Sequence, residues 1–139
     1  MAVTEQTPQS PYVLLGEGEG VVRLVERFYH HMNTLPEAAP IRRMHAGDLA
    51  PMADKLATFL IGWMGGPQNY TLRFGRVVIP AAHEHFAIGP DERDQWLGCM
   101  RRALADARAE PDLAEMMMDA FRQMADMCRT DQEAERWFA

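Results

Sequence analysis

The chain has 139 residues, 47% of them hydrophobic and 24% charged, with a net charge of -6, a balance that fits one domain with its own core and excludes a disordered chain. No run of Lys or Arg exceeds a pair such as Arg42-Arg43 or Arg101-Arg102, so the basic stripe of a nucleic-acid binder is absent. The longest apolar stretch, around FLIGWM, is far shorter than the roughly 20 residues that span a bilayer.

Residues 1–11 are polar, contain Pro8 and Pro11, and predict a loose arm. The following GEGEG lacks the preceding strand and the Gly-Lys-Ser/Thr ending of a phosphate loop. From Gly20, Val21, Leu24, Val25, Phe28 and Met32 recur at three- and four-residue steps and predict a helix, with Tyr29 at the edge of its stripe. Pro36 and Pro40 end it. Asp48 is a candidate N-cap for a second helix, in which Met52, Leu56, Phe59, Leu60 and Trp63 make one apolar face. Gly65-Gly66-Pro67 stops that helix. PQNYTLRFGRVVI then reads as irregular chain, because the strand-like RVVI has nothing to pair with.

Gly89-Pro90-Asp91-Glu92 opens a third long helix, with proline in the first turn and acids at the positive dipole end. Trp96, Met100, Ala103 and Ala107 share one face of it. Asp112 and Glu115 have capping-box spacing at the start of the last helix, whose stripe is Leu113, Met117, Phe121, Met124 and Cys128. The expected molecule is all-α, one domain over residues 12–130 with about four main helices, and a 131–139 tail carrying Trp137 and Phe138. Cys99 and Cys128 lie in apolar patterns and read as reduced core thiols. With no secretory signal in MAVTEQTPQSPYVLL, they point to a cytoplasmic protein.

HEH at 83–85 is the stretch with the most chemistry. In a helix, His83 and His85 would project about 200° apart and could not grip one ion together. In a strand they would share a face, as in a His-x-His zinc site, but no further ligands stand at zinc spacing. A single axial imidazole also suffices for haem, where the porphyrin supplies the other four nitrogens and the protein an apolar slot. Phe86, Ile88, Met100 and Met124, with the Leu56, Phe59 and Leu60 face, are candidates to line it. On spacing alone, an ordinary surface or core histidine competes with both ligand readings.

From Tyr12 to Cys128 the sequence resembles a group II (O-type) bacterial truncated haemoglobin. LLGEGEGVVRLVERFY resembles that family's opening, IRRMHAGDL its distal turn, and KLATFLIGWMGGPQNY its helix with the Gly-Gly-Pro stop. HEHFAIGPDERDQWLGCM resembles its His-x-x-Phe, charged turn and tryptophan. The resemblance implies a globin-like two-over-two helical sandwich around haem b, with His83 as the proximal iron ligand and His85 outside the site. It places Tyr29, His45 and Trp96 in the distal pocket, with Met52 where many globins carry a polar residue. Tyr29 and His45 can donate or accept hydrogen bonds and Trp96 only donates. Oxygen off-rates are then expected to vary between about pH 5 and 8 with the charge on His45. Relatives commonly carry a basic residue just before the proximal histidine, where this chain has Ala82, so Lys55, Tyr70, Arg73 and Arg76 become the candidates for the haem propionates.

The implied function is reversible binding of dioxygen and other small diatomic ligands, by a monomer or homodimer. Nitric oxide or peroxide detoxification is a further expectation, served by a separate electron-donating reductase. The competing readings are a haem-free helical regulatory module and a small zinc or iron enzyme using His83 and His85 together.

Overall fold

A computed structural model of the chain describes residues 9–131; residues 1–8 of the expected arm, and Trp137 and Phe138 of the expected tail, lie outside the described residues. The helices are α1 (Pro11–Leu14), α2 (Glu17–Thr34), α3 (Ala39–Arg43), α4 (Ala50–Trp63), α5 (Tyr70–Phe74), α6 (Ile79–His83), α7 (Pro90–Asp106) and α8 (Pro111–Met127), with a 3-10 turn at Pro36–Ala38. No strand occurs among the described residues. The four long helices form two pairs, α2 with α4 and α7 with α8, and α2 lies on α7. This is the all-α, two-over-two arrangement that the sequence predicts.

The stripe of α2 is buried as its periodicity requires: Val21, Leu24, Val25, Phe28 and Met32 are almost wholly shielded, with Tyr29 at 6% exposure. They meet Met100, Ala103 and Leu104 of α7 and Met117, Met118 and Phe121 of α8 in one core. Buried faces, rather than intrinsic propensity, hold such helices together. Met32, Met64, Met100, Met117 and Met118 fill this core, whereas Met52, Met116 and Met127 are exposed.

α4 departs from the expected face. Ala57, Leu60 and Met64 turn into the core, while Leu56 and Phe59 are half-buried and Met52 and Trp63 are exposed. The helix is apolar on more than one side, and only the 57–60–64 side is covered by protein.

The ends of the helices follow local chemistry. The N-cap of α4 is Leu49, without a side-chain cap bond, rather than the expected Asp48; Asp48 sits one residue earlier, where its Oδ1 accepts from the Ala50 backbone N–H at 3.0 Å. Gly65, at φ 101°, terminates α4. Pro90 opens α7, and Glu92 Oε1 accepts from the Gly89 N–H at 2.8 Å. The capping box expected from Asp112 and Glu115 is not formed: α8 starts at Pro111, after an N-cap Glu110 without a side-chain cap bond. Proline at the first position sets the start earlier, which leaves Asp112 within the first turn. The stretch 67–79, read as irregular, contains the single turn α5. Its stability is tertiary, since Arg73 bonds Asp54 and Thr58 of α4 and the Tyr70 ring packs on Phe59.

Cys99 is buried and Cys128 half-buried, both as free thiols. Burial pushes each thiol up to about 11, so both stay protonated and unreactive near neutral pH.

The glycines of GEGEG build the α1–α2 corner. Gly16 adopts φ 97°, and a Cβ on Gly20 would lie 1.7 Å from the Leu15 carbonyl oxygen. That oxygen belongs to backbone, so the corner itself must move to admit a side chain. Gly20→Ala is expected to destabilise the fold by about 1–3 kcal/mol, in the manner of other overpacked sites. Urea unfolding of the two proteins measures it.

Candidate functional site

His83 is the last residue of α6, a single turn that follows the extended Val78 and carries Pro80 in its first turn. Its Nδ1 lies 2.7 Å from the Ile79 carbonyl oxygen, one turn back. A carbonyl can only accept, so Nδ1 holds the proton and donates it, leaving Nε2 with its lone pair free. This is the way metal-ligating histidines are usually held, one nitrogen fixed by a backbone carbonyl and the other offered to the metal. The ring is half-buried. His85, two residues on, has 86% of its side chain exposed and approaches only Glu84, at 3.7 Å. Among the described residues no group of three or more His, Cys, Asp or Glu side chains is gathered to hold an ion, so the shared His83–His85 zinc site has no further ligands.

Tyr29 and His45 come together from different elements. Their rings meet edge to face with centroids 5.8 Å apart. His45 follows α3, and its Nδ1 bonds the Ile41 carbonyl at 2.8 Å, so its Nε2 is also left without the proton. Burial first, then the nearby charges of Arg42 and His83, lower the His45 pKa, with the Ile41 bond opposing them. Arg42 also fixes the His45 turn, bonding Asn33 Oδ1 at 3.0 Å and the carbonyls of Ala46 and Gly47 at 3.0 and 2.9 Å. Sequence reasoning passed over this residue because nothing local distinguishes it from a solvated arginine.

Burial alone raises the Tyr29 pKa, and no hydrogen bond takes part. The phenol stays protonated throughout the working range, and its hydroxyl makes no hydrogen bond among the described residues. Phe28 links Tyr29 to Trp96, with ring centroids 4.9 Å apart on each side. Trp96 in turn meets Phe121 at 5.6 Å, and Phe121 stacks on Trp63 at 5.0 Å. The three polar distal candidates thus stand along one continuous aromatic run. Trp63 belongs to it although its sequence position marks it only as part of an apolar face.

The apolar candidates fall into two groups. Met100 and Leu60 are wholly buried in the core. Leu56, Phe59, Ile88 and Met124 are half-buried, while Met52 and Phe86 remain 43% and 40% exposed. Such large side chains left partly uncovered are surface that an apolar group can cover.

The cationic candidates differ in how far they are committed. Arg73 donates to both carboxylate oxygens of Asp54 and to Thr58 Oγ1. Lys55 rests over the Phe74 ring at 5.5 Å, and Tyr70 packs between Phe59 and Phe74. Arg76 is exposed and makes no ion pair among the described residues.

Comparison with known proteins agrees with this fold. A family profile described as bacterial-like globin matches residues 10–130. The group 2 truncated hemoglobin YjbI of Bacillus subtilis (strain 168) is 33% identical over 112 residues, covering 81% of this chain and 82% of that protein. Among solved structures, the cold-adapted truncated hemoglobin of Pseudoalteromonas haloplanktis TAC125 superposes with a TM-score of 0.84 at 33% identity, over 87% of this chain and 98% of its own. The group II 2-on-2 hemoglobin of Agrobacterium tumefaciens gives 0.84 at 33% identity, over 91% of this chain and 98% of its own.

Proposed function

Because this chain belongs to the bacterial-like globin family, whose haem iron binds small diatomic ligands, we propose that it holds haem b through His83 and binds dioxygen reversibly in a pocket formed by Tyr29, His45 and Trp96. The observation that carries the reading is the His83 ring, with Nδ1 fixed on the Ile79 carbonyl and Nε2 left as a free lone pair. The residues fit the group in other respects. The partly uncovered side chains of Met52, Leu56, Phe59 and Phe86 supply apolar surface for a porphyrin face. Arg76 and Lys55 are the cations free to meet its propionates, since Arg73 is taken up by Asp54. Haem, held by His83, would supply an iron able to take a diatomic ligand.

The protein's own contribution is a set of hydrogen-bond donors, Tyr29 buried and Trp96 half-buried. A ligand carrying partial negative charge would be held by them, since a donor sheltered from water is not competed away. Tyr29 and Trp96 can each donate. His45 at neutral pH offers an acceptor, because its one proton is on the nitrogen facing Ile41. Absorption spectra of the ferric, ferrous and carbonyl forms test the assignment. Failure of the purified chain to take up one equivalent of haem, with no Soret band after reconstitution, would overturn it.

The histidine geometry gives the pH dependence a sign. The His45 pKa lies below its ordinary value near 6.5, so the ring is neutral at pH 7 and the change falls in the acid half of the range expected from sequence. Protonation turns Nε2 from acceptor into donor and adds a third hydrogen bond toward the ligand. Oxygen dissociation is expected to be constant above about pH 7 and to slow as pH falls below about 6.5. His45→Ala is expected to flatten the profile. Stopped-flow dissociation rates across the range decide it, and a native profile without an acid limb contradicts the assignment.

A further inference from the structure

We infer that Thr130, just beyond α8, is a positioning residue for His83, clamping the loop that follows the proximal histidine. The inference rests on the reading of His83 as the haem ligand. Thr130 Oγ1 accepts from the Ile88 N–H at 2.9 Å and donates to the Phe86 carbonyl at 2.8 Å, while the Thr130 N–H donates to the Ile88 carbonyl at 2.8 Å. A hydroxyl has one proton to give, and here it goes to Phe86; the Ile88 carbonyl, 3.4 Å from the same oxygen, already receives the backbone N–H. Phe86 in turn donates its N–H to the His83 carbonyl at 3.1 Å. A chain of three residues therefore connects Thr130 to His83, although the two lie far apart in sequence.

The segment needs such an anchor. α6 is one turn long, and a single turn has no stability of its own. Residues 84–87 are exposed, so little packing fixes them. Thr130, by contrast, sits on a fastened end of the molecule. Arg129 bonds Asp126 and Asp131, and Arg93 reaches from α7 to Asp126 at 2.8 Å. The clamp thus transfers the rigidity of the α7–α8 pair to the loop that follows His83. Its function is to hold the His83 backbone, and with it the imidazole, in a fixed position toward the group it would ligate.

Thr130→Val keeps the shape and removes the hydroxyl, and Thr130→Ser keeps the hydroxyl. Amide hydrogen exchange on the full chain as purified reads the clamp directly. Exchange of the Ile88 N–H is expected to quicken about tenfold in Thr130→Val, the loss of one ordinary hydrogen bond, and to return toward native in Thr130→Ser. The haem-loaded proteins then read the consequence. The iron–histidine stretching band of the ferrous form is expected to shift or broaden in Thr130→Val alone, with haem transfer to an acceptor globin several-fold faster. Unchanged exchange at 84–89 overturns the clamp, and altered exchange with an unchanged band overturns its action on His83. If the native chain takes up no haem, the functional reading fails and the inference about His83 fails with it, while amide exchange still decides the clamp as a structural feature.

Discussion

Replacing His83 by glycine is expected to weaken haem retention by more than about 100-fold, since loss of a mere supporting group beyond the ligands already costs 10–100-fold at metal sites. Nothing nearby can take over. His85 points into solvent beside Glu84, and the His45 ring is held by the Ile41 carbonyl. The glycine variant leaves an imidazole-sized gap at the end of α6, so free imidazole is expected to restore the Soret band and the native carbonyl spectrum. The restoration separates a missing ligand from a collapsed fold. His85→Gly, in the same buffer, is expected to change neither spectrum nor retention. A His83→Gly protein that keeps its pigment with native axial coordination removes the basis of the functional reading.

Much of this site is written in the sequence in a local code. The α2 stripe, the Gly-Gly stop after α4 and the Gly-Pro start of α7 are decided by residues within a turn or two of each other, and the structure agrees with them. Competition between nearby signals is harder to read. Pro111 overrides the Asp112–Glu115 spacing at the start of α8. In α4, a helix apolar on more than one side, periodicity cannot say which side meets protein, and the 57–60–64 side wins. Least legible are the long-range polar ties. Arg73 on Asp54, Arg42 around the His45 turn and Thr130 on the loop after His83 leave no periodic trace, because each depends on where a distant backbone group arrives. The proposal that groups Tyr29, His45, Trp96 and His83 rests on the order of whole motifs, because no spacing rule relates residues 29, 45, 83 and 96.

Tyr29→Phe is expected to raise the oxygen dissociation rate about 10–100-fold while leaving the stability of the fold little changed. The first effect follows from removing one donor from the proposed pocket, where a hydrogen bond to a partly charged acceptor contributes about 1.5–3 kcal/mol. The second follows from the same hydroxyl in the ligand-free state. The ring is buried, but the hydroxyl makes no hydrogen bond among the described residues and is not one of the buried polar atoms left without a partner, so its removal breaks no native hydrogen bond and leaves stability little changed. The ring contacts with Phe28 and His45 survive the change, which keeps packing out of the comparison. Trp96→Phe removes the other neutral donor and preserves aromatic contact with Phe28 and Phe121, although a smaller ring also leaves some space. Its dissociation rate is expected to rise in the same direction. The two donors act on one ligand, so the double variant is expected to fall short of the product of the single effects. Stopped-flow oxygen release and urea unfolding of the ligand-free protein, measured on the same preparations, separate the two quantities. Loss of stability in Tyr29→Phe without faster oxygen release would mean that the hydroxyl supports the fold, and the distal assignment would then pass from Tyr29 to Trp96 alone.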